Sequence, residues 1–202
     1  MKPRLYIEQK ITAFTNIYKV FQADETGSQG GLSALAQQKR LAFKEKVTFY
    51  SDENKSAEAW TLRAEKVFDV HGRYLIEDTN GQVIGMFKKQ FKQSFIASTW
   101  TLMDAEGKDL FTVRESSTAL ALFRRYAGWI PIVGDIIELV TAFLRYHFVF
   151  TLVGSEEVVG KYQKTTLFRD HYTLSMTDEA YGRCDWRVLA SFGVALDALQ
   201  SR

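Results

Sequence analysis

The sequence predicts a mainly β fold (β+α): a closed antiparallel barrel of about twelve strands around a buried C-terminal helix, with an inserted helical hairpin. Three observations predict it. A strand–turn–strand unit repeats with a constant 26-residue register, apolar and polar residues alternate at the strand period along most of the chain, and the closing helix is apolar on every side. With 202 residues, 46% of them apolar and 25% charged, the chain has enough apolar surface to bury a core, and one domain spanning residues 1–202 is expected.

Strands are read in chain order. Residues 4–11 form the first. Residues 17–24, a loop containing Gly27, Gly30 and Gly31, and residues 32–42 form the first hairpin. The clearest units follow: residues 47–54, 73–81 and 99–107 each run as a strand into an acidic turn. Asp52, Asp78 and Asp104 hold the same place in each, and Lys55, Gly81 and Gly107 follow three residues later. Aspartate caps such a turn through its side chain and glycine tolerates its positive φ, so the pattern reads as a hairpin with a returning strand at residues 57–64, 82–88 and 108–115. Ser116 and Ser117 are N-caps for a helix over 118–127 that stops at Gly128. Pro131 suits the first turn of a second helix ending near Tyr146. Strands resume at 148–154, 158–164 and 172–176. Asp185 caps the final helix, over 185–200, in which no residue from Val188 through Leu196 is charged. Such a helix must be enclosed, and Ala190, Ser191, Gly193 and Ala195 let surrounding strands come close. Eight strands make a barrel filled by side chains alone, so enclosing a helix takes a wider one.

The acidic turns at 77–81 and 104–107, their 26-residue spacing and the apolar helix over 185–199 resemble the tubby C-terminal-like superfamily, and within it the LURP-one-related proteins, with phospholipid scramblases as more distant relatives. The likeness covers nearly the whole chain. It implies a closed barrel of about twelve strands around a C-terminal helix. The hairpin over 118–146 is an insertion relative to the simplest family pattern.

Chemistry is sparse in the sequence. His71, His147 and His171 show no paired metal-ligand spacing. No phosphate-cradling glycine loop precedes a helix, and no cofactor is expected. The turn aspartates lie in separate hairpins without a calcium-loop series, so they read as turn chemistry and no metal site is assigned. A single cysteine, Cys184, excludes an internal disulfide and suits a reducing compartment. With no nucleophile, base or metal spacing above background, no catalytic residue is assigned and the protein reads as a non-enzyme. Twenty-six Lys and Arg against 24 Asp and Glu leave a net charge of +2, too near balance for a nucleic-acid binder. The first eight residues carry no signal-peptide pattern. The apolar stretch over 129–153 contains Asp135, Glu138, Arg145 and His147, and a charge at mid-bilayer costs roughly 2.5–3.5 kcal/mol, so it does not read as a membrane span. The expected location is cytoplasmic, at the inner face of a membrane.

Basic clusters carry the functional expectation. Lys88, Lys89 and Lys92 lie at and after a strand end, and Arg124 and Arg125 lie on the first inserted helix. Together they are the candidate site for an anionic ligand. Tubby-like relatives bind phosphoinositides through surface cations, and the resemblance extends that expectation here at family level. On the second inserted helix Ile132, Ile136, Leu139, Val140, Phe143 and Leu144 share one wide apolar face. A basic patch beside apolar surface suits an anionic lipid or membrane surface. The alternative is a protein-interaction or scaffold module in which that face covers a partner or a second copy of the chain.

Overall fold

The computed structural model describes residues 1–11, 15–39, 46–65, 73–90, 99–116, 147–166 and 170–200. Twelve strands alternate in direction: β1 (Lys2–Ile11), β2 (Thr15–Ala23), β3 (Gln29–Lys39), β4 (Lys46–Tyr50), β5 (Glu58–Ala64), β6 (Arg73–Asp78), β7 (Val83–Gln90), β8 (Thr99–Met103), β9 (Asp109–Glu115), β10 (His147–Leu152), β11 (Val158–Lys164) and β12 (Asp170–Met176). Each pairs with its sequence neighbours, and β12 returns to pair with β1, from Lys2↔Met176 to Gln9↔Asp170. The sheet therefore closes as an up-and-down barrel with no free edge, which removes the exposed backbone groups that invite aggregation. Helix α1 (Asp178–Gly182) follows β12, and helix α2 (Trp186–Gln200) runs back through the barrel.

The tight turns share one end of the barrel, and their chemistry explains the repeat. In the β6–β7 turn the Asp78 carboxylate accepts from the backbone N–H of Asn80 and of Gln82, both at 2.9 Å, while Gly81 adopts φ +79°. Asp104 accepts from Lys108 N at 2.7 Å beside Gly107 at φ +85°, and Asp52 accepts from Asn54 N at 2.7 Å. Lys55 takes the glycine position of that unit at φ 59°. Asp24 and Gly27 make a fourth copy, with Asp24 accepting from Thr26 N and Ser28 N. The carboxylates are thus engaged by backbone donors of their own turns.

Alternating side chains point inward onto α2. The residues from Val188 through Asp197 are all buried. Phe192 lies edge-on to Phe87, Trp100 and Phe150, with ring centroids 5.2, 5.9 and 6.0 Å away. Trp60 stacks on Phe49 at 4.5 Å and donates from its indole to Ser191 Oγ at 2.9 Å, so its polar edge is satisfied inside the barrel. Gly85 faces the helix, and a Cβ there would lie 2.5 Å from Val188 Cγ2. The outer wall instead carries charged rungs such as Arg63–Glu77, at 2.5 Å. Apolar inside and charged outside is the reverse of a membrane-spanning barrel. A separate apolar cluster of Leu75, Met86 and Met103 lies apart from the core.

The structure departs from the sequence reading at several element boundaries and in one added helix. β3 begins at Gln29 rather than residue 32, because Gly30 extends the strand where a Cβ would come 2.7 Å from the Gln22 carbonyl oxygen. Helix α1 was not expected; Thr177 caps it by accepting from Ala180 N at 3.2 Å, with Asp178 and Glu179 in its first turn. Asp185 does cap α2, accepting from Arg187 N at 2.8 Å, and the helix itself starts at Trp186. The expected inserted hairpin over 118–146 lies outside the described residues. No helix among the described residues is long and apolar enough to cross a membrane.

Candidate functional site

Because α2 fills the barrel, concave surface for a ligand is sought on the wall. A cleft of about 600 Å³ opens over the outer face of β1, β2 and β3. Strand alternation places Glu8 and Lys10 of β1, Lys19 of β2 and His171 of β12 along it. One side is built by the β4–β5 turn, which leans across β2 and β3. Lys19 Nζ bonds Glu53 Oε1 at 2.8 Å, and Lys55 Nζ bonds Gln37 Oε1. The left-handed backbone at Lys55 aims this long side chain back over the wall. Glu8 accepts from Gln29 Nε2 at 3.0 Å, so both glutamates of the cleft are engaged by neighbours. Three lysines against two glutamates make the cleft cationic on balance.

A second polar region lies inside the barrel, at the end opposite the tight turns. Asp197, 3% exposed, ends the apolar run of α2. Tyr18 donates to its Oδ2 at 2.8 Å and Tyr172 to its Oδ1 at 2.6 Å. Burial holds the Asp197 carboxyl above the ordinary carboxylate range, and the two tyrosines oppose that shift. Burial first, and then the nearby Asp197 charge, push both phenols upward. Gln9 donates to the Tyr18 hydroxyl at 3.1 Å. Nearby, buried Lys164 pairs with Asp170 at 2.6 Å. Asn16 and Gln38 sit opposite one another on β2 and β3, 8% and 4% exposed, and among the described residues Asn16 Oδ1 and Gln38 Oε1 have no donor. A buried acceptor left unpaired costs about 1–3 kcal/mol.

The sequence-read candidates fall differently. Lys88 and Lys89 are consecutive on β7 and so point to opposite faces of the wall. Lys89 lies on the core side, its Nζ 5.6 Å from the Trp100 ring centroid, while Lys88 faces outward with its β8 partner Thr101. Lys92, Arg124 and Arg125 lie outside the described residues, as do Ile132, Ile136, Leu139, Val140, Phe143 and Leu144 of the expected interface. His71 does too. Among the described residues no group of three or more His, Cys, Asp and Glu side chains is placed to hold a metal ion. The Cys184 thiol is pushed up to about 12, first by burial and then by Asp185, which keeps it protonated and unreactive near neutral pH.

Sequence reasoning missed the cleft and the Asp197 cluster. The cleft depends on β1, β3, β12 and a distant turn meeting, which no local pattern encodes. Asp197 did leave a signal: a carboxylate one residue after an uncharged helical run that needs complete enclosure.

No curated protein matches the chain in direct comparison. The LURP-one-related profile matches residues 33–197, from within β3 to Asp197. It spans β4 to β12 whole, most of β3 and most of the enclosed helix, the elements that carry the repeat and the core. The chain belongs to the LURP-one-related family.

Proposed function

We propose that the protein is a non-enzymatic lipid-binding barrel that associates peripherally with membranes by recognising anionic headgroups. The observation that carries this reading is the lysine-lined cleft on the outer wall, where Lys10, Lys19 and Lys55 converge on about 600 Å³ of concave surface. An enclosed helix leaves the interior to packing, so a headgroup is taken from outside. Phosphate is the group that ammonium side chains bind as point charges. Each cation near an anionic surface contributes about 1 kcal/mol of attraction. Arg124 and Arg125 belong to the same proposal as a second contact with the surface, and the apolar side chains of the inserted segment supply retention.

The test is co-sedimentation with phosphatidylcholine vesicles, with and without phosphatidylserine or a phosphoinositide. The wild type should bind only the anionic vesicles and lose binding as salt rises. Lys10→Glu with Lys55→Glu should weaken binding by at least about tenfold, since two attractions of about 1 kcal/mol become repulsions. The melting temperature should stay nearly unchanged. Arg124→Glu with Arg125→Glu, made separately, reports on the second contact. If the wild type ignores anionic vesicles at low salt and elutes as a dimer that Phe143→Ser converts to monomer, the lipid reading fails and the interaction-module reading replaces it.

A further inference from the structure

The β4–β5 turn is fastened to the outer wall at two points, and both fastenings use groups that line the cleft. Lys19 Nζ on β2 bonds Glu53 Oε1 at 2.8 Å, and Lys55 Nζ bonds Gln37 Oε1 on β3. The first contact crosses the sheet. Lys19 is opposed by Leu35 on β3, and Leu35 by Tyr50 at the end of β4, so a bond from Lys19 to a residue beyond Tyr50 passes over Leu35. Leu35 faces outward, between the inward Ala34 and Ala36, yet is only 4% exposed. The turn that delivers Glu53 holds its own shape, because Asp52 accepts from Asn54 N at 2.7 Å and from the Ser56 hydroxyl. Its base is slight: β4 pairs with β3 only from Leu35↔Tyr50 to Gln37↔Thr48, and its register with β5 shifts between Phe49 and Tyr50. A preformed turn on a short, irregularly paired base can move as a unit.

We propose that this turn is a self-inhibitory strap: Glu53 occupies the Lys19 ammonium that a headgroup anion takes, and an anion entering the cleft displaces Glu53 and uncovers Leu35. The proposal rests on the anionic-headgroup reading of the cleft and adds the regulation of that site. Lys10, exposed and opposed to Ile17 on the neighbouring strand, meets the incoming anion first. Lys19 then exchanges the Glu53 carboxylate for an oxygen of the headgroup. With the Glu53 side chain 59% exposed, the pair it makes is worth at most about a fivefold shift in an equilibrium, enough to set a threshold and too little to bar a headgroup. Once uncovered, Leu35 joins Ile17 as apolar surface in the same cleft, so displacement of the strap links charge attraction to retention.

Glu53→Gln keeps the side-chain shape and removes the competing charge. It should tighten binding to phosphatidylcholine vesicles containing phosphatidylserine by about fivefold in co-sedimentation, with Tm nearly unchanged. Glu58→Gln removes an equal charge from the nearby exposed pair with Lys46, outside the cleft, and should leave that affinity nearly unchanged. Leu35→Cys gives a second reading without lipid. Its maleimide labelling should be slow in the native background and several-fold faster in combination with Glu53→Gln, while Cys184, held protonated, adds little background. Equal tightening by Glu58→Gln overturns the strap and leaves the headgroup reading standing. So does a Glu53→Gln protein that binds no more tightly than a wild type that does bind the anionic vesicles. Labelling of Leu35→Cys that does not change on adding Glu53→Gln overturns the strap as well. If the wild type and Glu53→Gln both ignore anionic vesicles at low salt, the headgroup reading fails and the strap fails with it.

Discussion

Asp197 couples proton binding to folding. Its carboxyl is held above the ordinary value by burial, against the two tyrosine donors. A group whose pKa is raised on folding contributes stability that is present below its unfolded value, near 3.9, and lost as pH rises through the folded value. The turn carboxylates act oppositely. Asp24 is held low first by its bond from Thr26, and Asp52 first by its bond from Ser56, so their contribution is present above the unfolded value and lost as pH falls through the folded one. Comparing the wild type with Asp197→Asn isolates the buried group. The difference in stability, wild type minus variant, should fall as pH rises from about 4 toward neutrality. Urea unfolding of both proteins across that range measures it, and a flat difference would show that Asp197 titrates as an ordinary surface carboxylate.

Elements meet where their side chains are smallest. Gly85 of β7 lets the strand approach α2, with Val188 filling the space a Cβ would need, and the Met103 carbonyl only 3.2 Å from that position. Val188 is short and fully buried, so it has nowhere to rotate. Gly85→Ala should therefore destabilise by about 1–3 kcal/mol through overpacking. Val188→Ala alone should also destabilise, by lost burial and a cavity. The double variant should be less unstable than the sum of the two, because the new methyl occupies the vacated volume. Additive losses in chemical denaturation would refute the contact. The same strand explains why a continuous run of lysines need not form one patch: the pleat sends Lys88 outward and Lys89 toward Trp100.

The described residues form a closed wall around helix α2, and the cooperativity of the barrel rests on that helix. Phe192 touches rings from β7, β8 and β10 at once, so it joins strands that are not all neighbours along the wall. Phe192→Asp should prevent folding, since it places an unpaired charge among aromatic rings, whereas Arg202→Ala should be nearly silent. A soluble Phe192→Asp protein with a cooperative melt would sink the enclosed-helix architecture. Filling the interior also decides where binding takes place. Among the described residues, the concave surface left for a ligand is the cleft on the outer wall.

The fold was largely legible because its signals are local and repeated. The Asp78–Gly81 and Asp104–Gly107 turns announce themselves through side-chain caps and positive φ, and the uncharged run from Val188 to Leu196 demands enclosure whatever surrounds it. Helix α1 escaped because five residues are too few to show a period. The binding surfaces were not legible. Lys10 and Lys19 share the β1–β2 hairpin, but Lys55 joins them only when the β4–β5 turn folds across β2 and β3, and His171 only when β12 closes on β1. Asp197 acquires its tyrosines from β2 and β12 in the same way. Composition and short-range pattern determined that this chain makes a barrel and threads a helix through it. Only tertiary structure decided which charges meet, because closing the sheet joins residues that no sequence interval relates.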